Sequence, residues 1–279
     1  MEAVVESAKI FDPVAAGRKM QTLPCGSCGG SNIRAMIKGA TNYQVVAILY
    51  DRLSYHGSPC KIPEIAQEAD VPRIFVDSSD VMKNRHNEQV RKDYYKRVID
   101  EIESASARYG FHVDLIPLGG FMLLLSEPVL SYYKDKIINV HPADLAACNP
   151  DGRRRYTGDR AVLNVVKDML TSTKSSIHVV IPEVDGGDII AQKGMAISYP
   201  QGTDAWTEQD WNMFAGRIQD DQKKWCDWPA YVAALRMIAD GRFALGREKN
   251  TSTGLRTVFL DGVPLPYGGH QLTEVVDLG

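Results

Sequence analysis

An asparagine and a histidine lie two residues apart at the end of one predicted strand. Residues 136–142 read K-I-I-N-V-H-P, and their apolar, β-branched character predicts a short buried strand. Pro142 cannot donate a ladder hydrogen bond, so the strand should end at His141. Because side chains alternate along a strand, Asn139 and His141 share one side of the sheet. A carboxamide can donate to a developing oxyanion and an imidazole can exchange protons near neutral pH, so the pair suits acyl transfer.

A carboxylate follows on a predicted strand–loop–strand. Residues 176–181 and 188–192 read as strands, and the loop between them is P-E-V-D-G-G. Asp185 precedes two glycines that permit positive φ, which predicts a tight, well-defined loop carrying its carboxylate. Taken alone, Asn139 and His141 fit a turn cap and a core histidine better than a catalytic site, because the motif is only four residues long. The second segment favours a site that contains all three side chains.

A turn rich in glycine and serine precedes a predicted helix near the N-terminus. Residues 24–32 read P-C-G-S-C-G-G-S-N, and residues 33–37 have helical apolar spacing. The free N–H groups and positive dipole end of such a helix favour a phosphate, although an ordinary β–α turn has the same composition. The turn is neither a dinucleotide fingerprint nor a Walker loop. Its C-x-x-C has no second pair to complete a zinc site, so no metal is expected.

The remaining elements indicate how these segments are positioned. A near-continuous apolar strand is predicted at Tyr43–Tyr50, a long amphipathic helix at Asn87–Tyr109, and a further strand at 113–118. Strands that alternate with helices predict an α/β fold with a doubly wound, mostly parallel sheet. Ligands bind at the carboxyl ends of such strands, where the glycine-rich turn and Asn139 both fall. An Asp-Gly turn at 261–262 predicts a C-terminal β-hairpin.

In this order, the Asn-x-His-Pro strand end and the Asp-Gly-Gly loop resemble the folate-dependent formyltransferases. Among these, the chain is most similar to the enzymes that formylate glycinamide ribonucleotide in purine synthesis. The resemblance covers about residues 18–267. It implies a formyltransferase domain at 18–279 after an N-terminal extension at 1–17, with 10-formyltetrahydrofolate as co-substrate. It also implies that the catalytic residues are Asn139, His141 and Asp185.

The same resemblance implies which residues bind the substrates. The acceptor phosphate would contact the glycine-rich turn at Gly29, Gly30, Ser31 and Asn32. The acceptor ribose would contact Asp227, and the folate would contact Met122, Leu124, Leu125, Val184 and Arg91. The segment after Pro142 departs from the family and carries three consecutive arginines, Arg153–Arg155. A solvated loop and an anion-binding turn are both compatible with this run.

Composition restricts the class of protein. The chain has 279 residues, 44% of them hydrophobic, and a formal net charge of −3, which does not favour nucleic acid as a partner. No apolar run approaches the roughly 20 residues that span a bilayer, and residues 1–10 do not resemble a signal peptide. Five scattered cysteines fit reduced thiols. These features predict a cytoplasmic protein, monomeric or homodimeric, whose partners are small-molecule substrates rather than nucleic acids or membranes.

Alternative functions remain open on the sequence. Water as the acceptor would make a formyltetrahydrofolate deformylase, and an amino-sugar nucleotide would make a sugar N-formyltransferase. Deformylases of this kind usually carry an N-terminal regulatory domain, which the 17 leading residues are too few to form. A catalytically silent relative that binds folate or a nucleotide is a third alternative, and the complete Asn139, His141 and Asp185 set argues against it. A nicotinamide-dependent oxidoreductase lacks the expected glycine fingerprint.

Overall fold

The computed structural model describes residues 6–55, 57–251, 253–273 and 276. Its strands, in chain order, are β1 (Ser7–Lys9), β2 (Met20–Thr22), β3 (Cys25–Gly26), β4 (Tyr43–Val45), β5 (Ile48–Tyr50), β6 (Ser54–Tyr55), β7 (Ser58–Pro59), β8 (Arg73–Phe75), β9 (Ile116–Leu118), β10 (Ile137–His141), β11 (Ser172–Val179), β12 (Ile189–Ala196), β13 (Phe243–Lys249), β14 (Arg256–Leu260), β15 (Val263–Pro264) and β16 (His270–Gln271).

The helices alternate with these strands through the first two thirds of the chain. They are α1 (Pro13–Ala16), α2 (Ser31–Lys38), α3 (Ile62–Glu68), α4 (Ser79–Lys83), α5 (Glu88–Tyr109), α6 (Val129–Tyr132), α7 (Ala161–Lys167), α8 (Glu208–Gln222) and α9 (Trp228–Ala239), with a 3₁₀ turn at Thr203–Ala205 and a π-helical turn at Lys223–Asp227. Within the described ranges no helix is long and apolar enough to cross a membrane.

The main sheet has the strand order β16-β12-β11-β10-β9-β3-β5-β8. Strands β8, β5, β3, β9 and β10 are parallel to one another, β11 pairs antiparallel with both β10 and β12, and β12 pairs parallel with β16. On β10, Ile138 and Val140 join a core cluster with α2, α3 and α9, while Ile137 joins one with α5 and α6. Alternate residues therefore bury opposite faces, and the predicted doubly wound, mostly parallel α/β fold is confirmed.

A second sheet contains the C-terminal hairpin. Strands β14 and β15 pair through the predicted Asp-Gly turn, with Leu260 opposite Val263, so the hairpin prediction is confirmed. Strand β13 pairs with β14 on one side and with β1 on the other. The N-terminal segment thus contributes a strand to this sheet, and Phe11 lies in the core. The proposed domain boundary at residues 17 and 18 remains a prediction.

The predicted single strand at Tyr43–Tyr50 is wrong in one respect, because the structure divides it into β4 and β5. The backbone changes partners between them. The N–H of Val46 donates to the carbonyl of Thr22, and the N–H of Ile48 donates to the carbonyl of Pro72. β4 consequently pairs with β2, and β5 pairs with β3 and β8.

The long helix α5 agrees with its predicted limits because both ends are capped. The Asn87 side chain accepts hydrogen bonds from the N–H groups of Gln89 and Val90, and Gly110 ends the helix in the left-handed conformation with φ of 72°. Tyr94, Tyr95 and other residues of one face are buried against the sheet. This helix supports the back of the sheet near the cavity described below, since the Tyr95 hydroxyl donates to the carbonyl of Leu124 at 2.9 Å.

Candidate active site

Three adjacent strands bring the predicted catalytic segments together. Asn139 on β10 lies opposite Leu118 of β9 on one side and opposite His178 of β11 on the other. The chain that follows Leu118 carries the predicted folate wall, and the chain that follows His178 carries Asp185. Because parallel neighbours end at the same edge, the strand order itself places these segments around Asn139.

A cavity of about 440 Å³ opens at this edge of the sheet. Asn139, His141 and Asp185 all line it. The cavity also has an apolar side formed by Met122, Leu124, Leu125, Val184 and neighbouring residues. A few polar groups thus share a cavity with apolar side chains, which is typical of a site for a small organic ligand.

His141 is held by both of its ring nitrogens. It is 4% exposed, its Nε2 lies 2.7 Å from the carbonyl oxygen of Tyr156, and its Nδ1 lies 3.3 Å from Asp185 Oδ2. A carbonyl oxygen only accepts, so Nε2 carries the proton and the neutral ring turns the lone pair of Nδ1 towards the carboxylate. Burial lowers the pKa of His141 below its ordinary value, and the charge of Asp185 offsets part of this effect.

The Asp185 carboxylate is ionised and well supported. Its Oδ2 accepts a hydrogen bond of 2.8 Å from the N–H of Gly158, and its Oδ1 lies 3.6 Å from Nε2 of His178. Burial raises the pKa of Asp185. The His178 and His141 imidazoles and the Gly158 N–H lower it by more, so that the pKa falls below its ordinary value, to about 2. Nε2 of His178 has no hydrogen-bond partner among the described residues.

The glycines after Asp185 act differently from the prediction. Asp185 itself has the positive φ, 51°, in a turn closed by the Gly186 N–H on the Glu183 carbonyl, whereas Gly186 and Gly187 do not. Aspartate tolerates this conformation because its short polar side chain can hydrogen-bond locally. Gly187 is required for space, since a Cβ there would lie 1.8 Å from the carbonyl oxygen of Val179. The prediction that the glycines supply positive φ was therefore wrong.

The Asn139 carboxamide is available to a ligand. The residue is half-buried and lines the cavity, and no side chain or main chain within the described ranges hydrogen-bonds its amide. It lies on the same side of β10 as His141, two residues away. A carbonyl bound at this edge therefore has an amide donor on one side and the His141–Asp185 pair on the other.

The residues predicted to form the folate wall line the cavity, and part of their main chain already makes hydrogen bonds. Met122 and Leu124 are about half exposed and Leu125 is buried. The N–H of Met122 donates to Ser27 Oγ at 2.8 Å, so it is not free for a heterocycle. The Leu124 carbonyl accepts from Tyr95 but keeps a second lone pair. Arg91 lies outside the cavity, where its guanidinium donates to the carbonyl of Arg85, so its predicted folate contact remains a prediction.

Of the four residues predicted to bind phosphate, Asn32 lines the cavity. Its Oδ1 is buried without a hydrogen-bond partner among the described residues. Gly30, with φ of 66°, precedes the first residue of α2, and Gly29 is exposed beside it. The N–H of Arg34 is the first to bond within this helix, to the carbonyl of Gly30. The N-terminal N–H groups of α2, including that of Ser31, therefore lie next to the cavity.

Asp227 also lines the cavity, at the end of the π-helical turn. It is 5% exposed, and its carboxylate accepts a hydrogen bond from the Ser175 hydroxyl. Burial raises the pKa of Asp227 to about 6, in spite of the opposing effects of Ser175 and Lys223. Pro229 has no N–H to donate to the carbonyl four residues earlier, which favours the irregular turn.

The sequence reasoning missed two residues on the same helical face. Gln219 and Lys223 line the cavity with Asp227, at successive four-residue intervals. This spacing is the signal that indicates a shared helix face, and it was present in the sequence. The loop with the three arginines was singled out in the sequence, but not the roles of two residues that follow them, Gly158, which lines the cavity, and Tyr156, whose carbonyl accepts from His141. Within the described ranges, no cluster of three or more side chains suited to a metal was found.

The fold and the cavity are typical of an α/β group-transfer enzyme. Residues 26–210 match the formyl transferase family. The match covers more than half of the chain, so the chain belongs to that family. It is 25% identical over 187 residues to the phosphoribosylglycinamide formyltransferase of Escherichia coli. The aligned region covers 66% of this chain and 70% of that protein. The predicted family resemblance is thus confirmed.

Longer relatives and solved structures are also similar to the chain. It is 24% identical over 221 residues to the trifunctional purine biosynthetic protein adenosine-3 of Gallus gallus, which covers 78% of this chain. The chain spans only 18% of that protein's length. The structure of the phosphoribosylglycinamide formyltransferase of Coxiella burnetii superposes with a TM-score of 0.65 at 24% identity, covering 91% of this chain and 99% of that one. This likeness supports the formyltransferase fold.

Proposed function

We propose that this protein transfers the formyl group of 10-formyltetrahydrofolate to the primary amine of glycinamide ribonucleotide. The observation that carries the proposal is that Asn139, His141 and Asp185 lie close together and all line one cavity with an apolar side. The relatives named phosphoribosylglycinamide formyltransferase support this choice of acceptor. The attacking nucleophile belongs to the substrate, so the protein needs no catalytic serine or cysteine.

Asn139 stabilises the tetrahedral intermediate in this mechanism. As the amine attacks the formyl carbon, the carbonyl oxygen gains negative charge next to the Asn139 carboxamide, which donates to it. Both nitrogens of His141 already face protein groups, Tyr156 and Asp185. Asn139 is therefore the direct donor, and His141 acts on the proton and on the local potential rather than on the oxygen.

The His141–Asp185 pair takes the proton that the attacking amine loses and returns it to N10 of the folate as the formyl carbon–N10 bond breaks, which releases tetrahydrofolate. Before the transfer His141 is neutral and Asp185 is ionised, so the lone pair of Nδ1 and an oxygen of the carboxylate face each other across 3.3 Å without a proton between them. A proton that enters through the cavity-facing carboxylate can rest on Nδ1, and the contact then becomes a charge-assisted hydrogen bond. Because burial lowers the pKa of His141, the ring is neutral and ready to accept near pH 7.

The two substrates have separate places along the cavity. The pterin of the folate fits the apolar side formed by Met122, Leu124, Leu125 and Val184. The acceptor phosphate approaches the glycine-rich turn beside Asn32, where the N–H groups of α2 favour an anion. The acceptor ribose approaches Asp227, whose carboxylate accepts hydrogen bonds from hydroxyl groups.

The proposal extends to the cellular location, the pathway and the oligomeric state of the protein. Cys25, Cys28, Cys60, Cys148 and Cys226 are all free thiols, which supports a cytoplasmic location. We place the reaction in purine synthesis, with small molecules as partners and a monomer or homodimer as the working form. Sedimentation at micromolar concentration distinguishes the two forms.

The test is an absorbance assay of folate turnover with and without glycinamide ribonucleotide. The proposal predicts turnover with the ribonucleotide and none without an amine. Asn139→Ala should abolish most of it, whereas Asn164→Ala, an exposed asparagine on α7, should match the wild type. Turnover with water alone, or with an amino-sugar nucleotide in place of the ribonucleotide, would contradict the proposed acceptor. Folate binding without turnover on any amine would contradict the proposed activity.

A further inference from the structure

The loop that carries the three arginines contacts both members of the proposed proton-accepting pair. The Tyr156 carbonyl accepts from His141 Nε2 at 2.7 Å, and the Gly158 N–H donates to Asp185 Oδ2 at 2.8 Å. The Arg154 guanidinium completes the set from the other side of the turn, because it donates to the carbonyl oxygens of Asp185 and, at 2.8 Å, of Gly187. Residues 154–158 therefore contact the side chains of both His141 and Asp185, and also the main chain of the Asp185 turn.

The three consecutive arginines have different environments. The Arg153 side chain is 85% exposed and pairs only with Asp151, at 3.4 Å, among the described residues. Arg155 pairs with Asp168 at 2.7 Å and stacks on the ring of Tyr156. Only Arg154 reaches the Asp185 turn within the described ranges, so neither the solvated loop nor the anion-binding turn describes all three residues.

Arg154 is itself fixed by the C-terminal segment. Its Nε donates to the hydroxyl of Tyr267 at 3.0 Å, and its guanidinium lies 5.6 Å from the centre of the same ring. All three nitrogens of the planar group thus have defined acceptors, in a geometry that an ammonium group cannot reproduce. Tyr267 follows the C-terminal hairpin, so the chain beyond that hairpin contacts the site through this arginine.

We propose that Arg154 is a positioning residue, whose bidentate bonds to the carbonyls of Asp185 and Gly187 hold the catalytic carboxylate against His141. The proposal rests on the proposed function. Asp185 adopts a left-handed conformation that is costly for a residue with a Cβ, and such a conformation persists only where surrounding contacts fix it. The turn itself supplies the bond from the Gly186 N–H, and Arg154 ties its other carbonyls to the loop.

A positioning role and a substrate-binding role of Arg154 predict different effects on the kinetic constants. A residue that binds a substrate changes KM, whereas one that orients the carboxylate changes the rate of the bound complex. Displacing a catalytic group by about 1 Å can cost roughly 100-fold in rate. Arg154→Ala should therefore lower kcat by about that factor and leave both KM values within about threefold, because the cavity wall and the phosphate turn are unchanged.

The experiment compares Arg154→Ala and Arg154→Lys with the matched control Arg153→Ala. Lysine keeps the charge and can reach one carbonyl, so it should recover part of the loss. Arg153→Ala should match the wild type. Amide hydrogen exchange gives a second measurement that does not depend on activity: in Arg154→Ala, the Gly158 and Gly186 amides should exchange at least tenfold faster, while amides of β10 and α5 keep their wild-type rates.

Several results would overturn the proposal. These are wild-type kcat in Arg154→Ala, unchanged exchange at Gly158 and Gly186, or faster exchange throughout the sheet, which would assign Arg154 to general stability. A loss confined to KM would make it a substrate contact instead. If the wild-type protein formylates no amine, the proposed function fails, and the exchange comparison alone then decides whether Arg154 holds the Asp185 turn.

Discussion

Replacing Asp185 with asparagine isolates the charge of the proposed proton-accepting pair. The two side chains have nearly the same shape, so an amide oxygen can still accept from the Gly158 N–H, which now lies 2.8 Å from the carboxylate. The contact with Nδ1 of His141, at 3.3 Å, involves the same oxygen, so a protonated Nδ1 can still donate to it in the variant. Geometry is retained in this variant, whereas the negative charge that stabilises a protonated His141 is lost.

The size of the effect follows from the geometry. At an effective dielectric constant of about 20, opposite charges 3.3 Å apart attract by about 5 kcal/mol. A hydrogen bond from the protonated Nδ1 to the neutral amide oxygen returns about 1 kcal/mol, which leaves a loss of about 4 kcal/mol in the state with a proton on His141. Since about 1.4 kcal/mol corresponds to a factor of ten, kcat should fall by about a thousandfold.

The same substitution makes a prediction about protonation. Burial lowers the pKa of His141 and Asp185 raises it, so Asp185→Asn should lower the pKa of His141 further.

The pKa of Asp185 lies near 2, below its ordinary value, so this residue stabilises the folded protein above about pH 4 and loses that effect as the pH falls towards 2. Asp185→Asn should therefore cost on the order of 2 kcal/mol of unfolding free energy at pH 7.

The assay is steady-state folate turnover over pH 5–9, together with an NMR titration of the His141 ring. Asp151→Asn is the matched control, since Asp151 is an exposed carboxylate that contacts only its own loop among the described residues. A variant that keeps kcat within tenfold of the wild type, or a His141 pKa that rises, would refute the proposed role of the charge.

Three further predictions address other parts of the site. Asn139→Ala should lower kcat by roughly 10²- to 10³-fold with little change in KM, measured by the same assay, as for loss of a single oxyanion donor. Burial raises the pKa of Asp227 to about 6, so the stability of the folded protein should decrease as the pH rises from about 4 to about 6. Asp227→Asn should remove this pH dependence. In thermal melts at pH 7.5 it should raise the unfolding free energy by about 2–3 kcal/mol. Gly187→Ala should cost roughly 1–3 kcal/mol or more in denaturant unfolding, since its Cβ would lie 1.8 Å from the Val179 carbonyl oxygen, and more than Gly186→Ala, whose Cβ would lie 2.7 Å from Cβ and Cγ of Glu183.

The parts of the site that the sequence predicted depend on local rules. Pro142 ends β10 after His141, and alternation along the strand puts Asn139 on the same side. The order of strands and helices then predicts a parallel sheet whose carboxyl edge collects both residues, and the Asp-Gly turn predicts the last hairpin. Each of these inferences uses residues that are close together in the chain.

The parts that the sequence did not predict depend on contacts between distant segments. The need for glycine at 187 arises from the approach of Val179, and the buried state of Asp227 arises from Ser175, which lies 52 residues earlier. Periodicity shows that α8 is a helix but does not state which segment its Gln219 face meets. Such contacts become visible only when the packed chain is known.

The arginine run shows why composition alone leaves such a loop undecided. Three identical residues in sequence meet solvent, a turn of the main chain, and a carboxylate, so the residue type does not distinguish their roles. The distinguishing feature is where each guanidinium points after the loop folds back from Pro142 towards the Asp185 turn. Because Arg154 donates to main-chain carbonyls rather than to side chains, no sequence motif in the turn identifies its partner, and only the matched comparison of Arg154→Ala with Arg153→Ala separates the two roles experimentally.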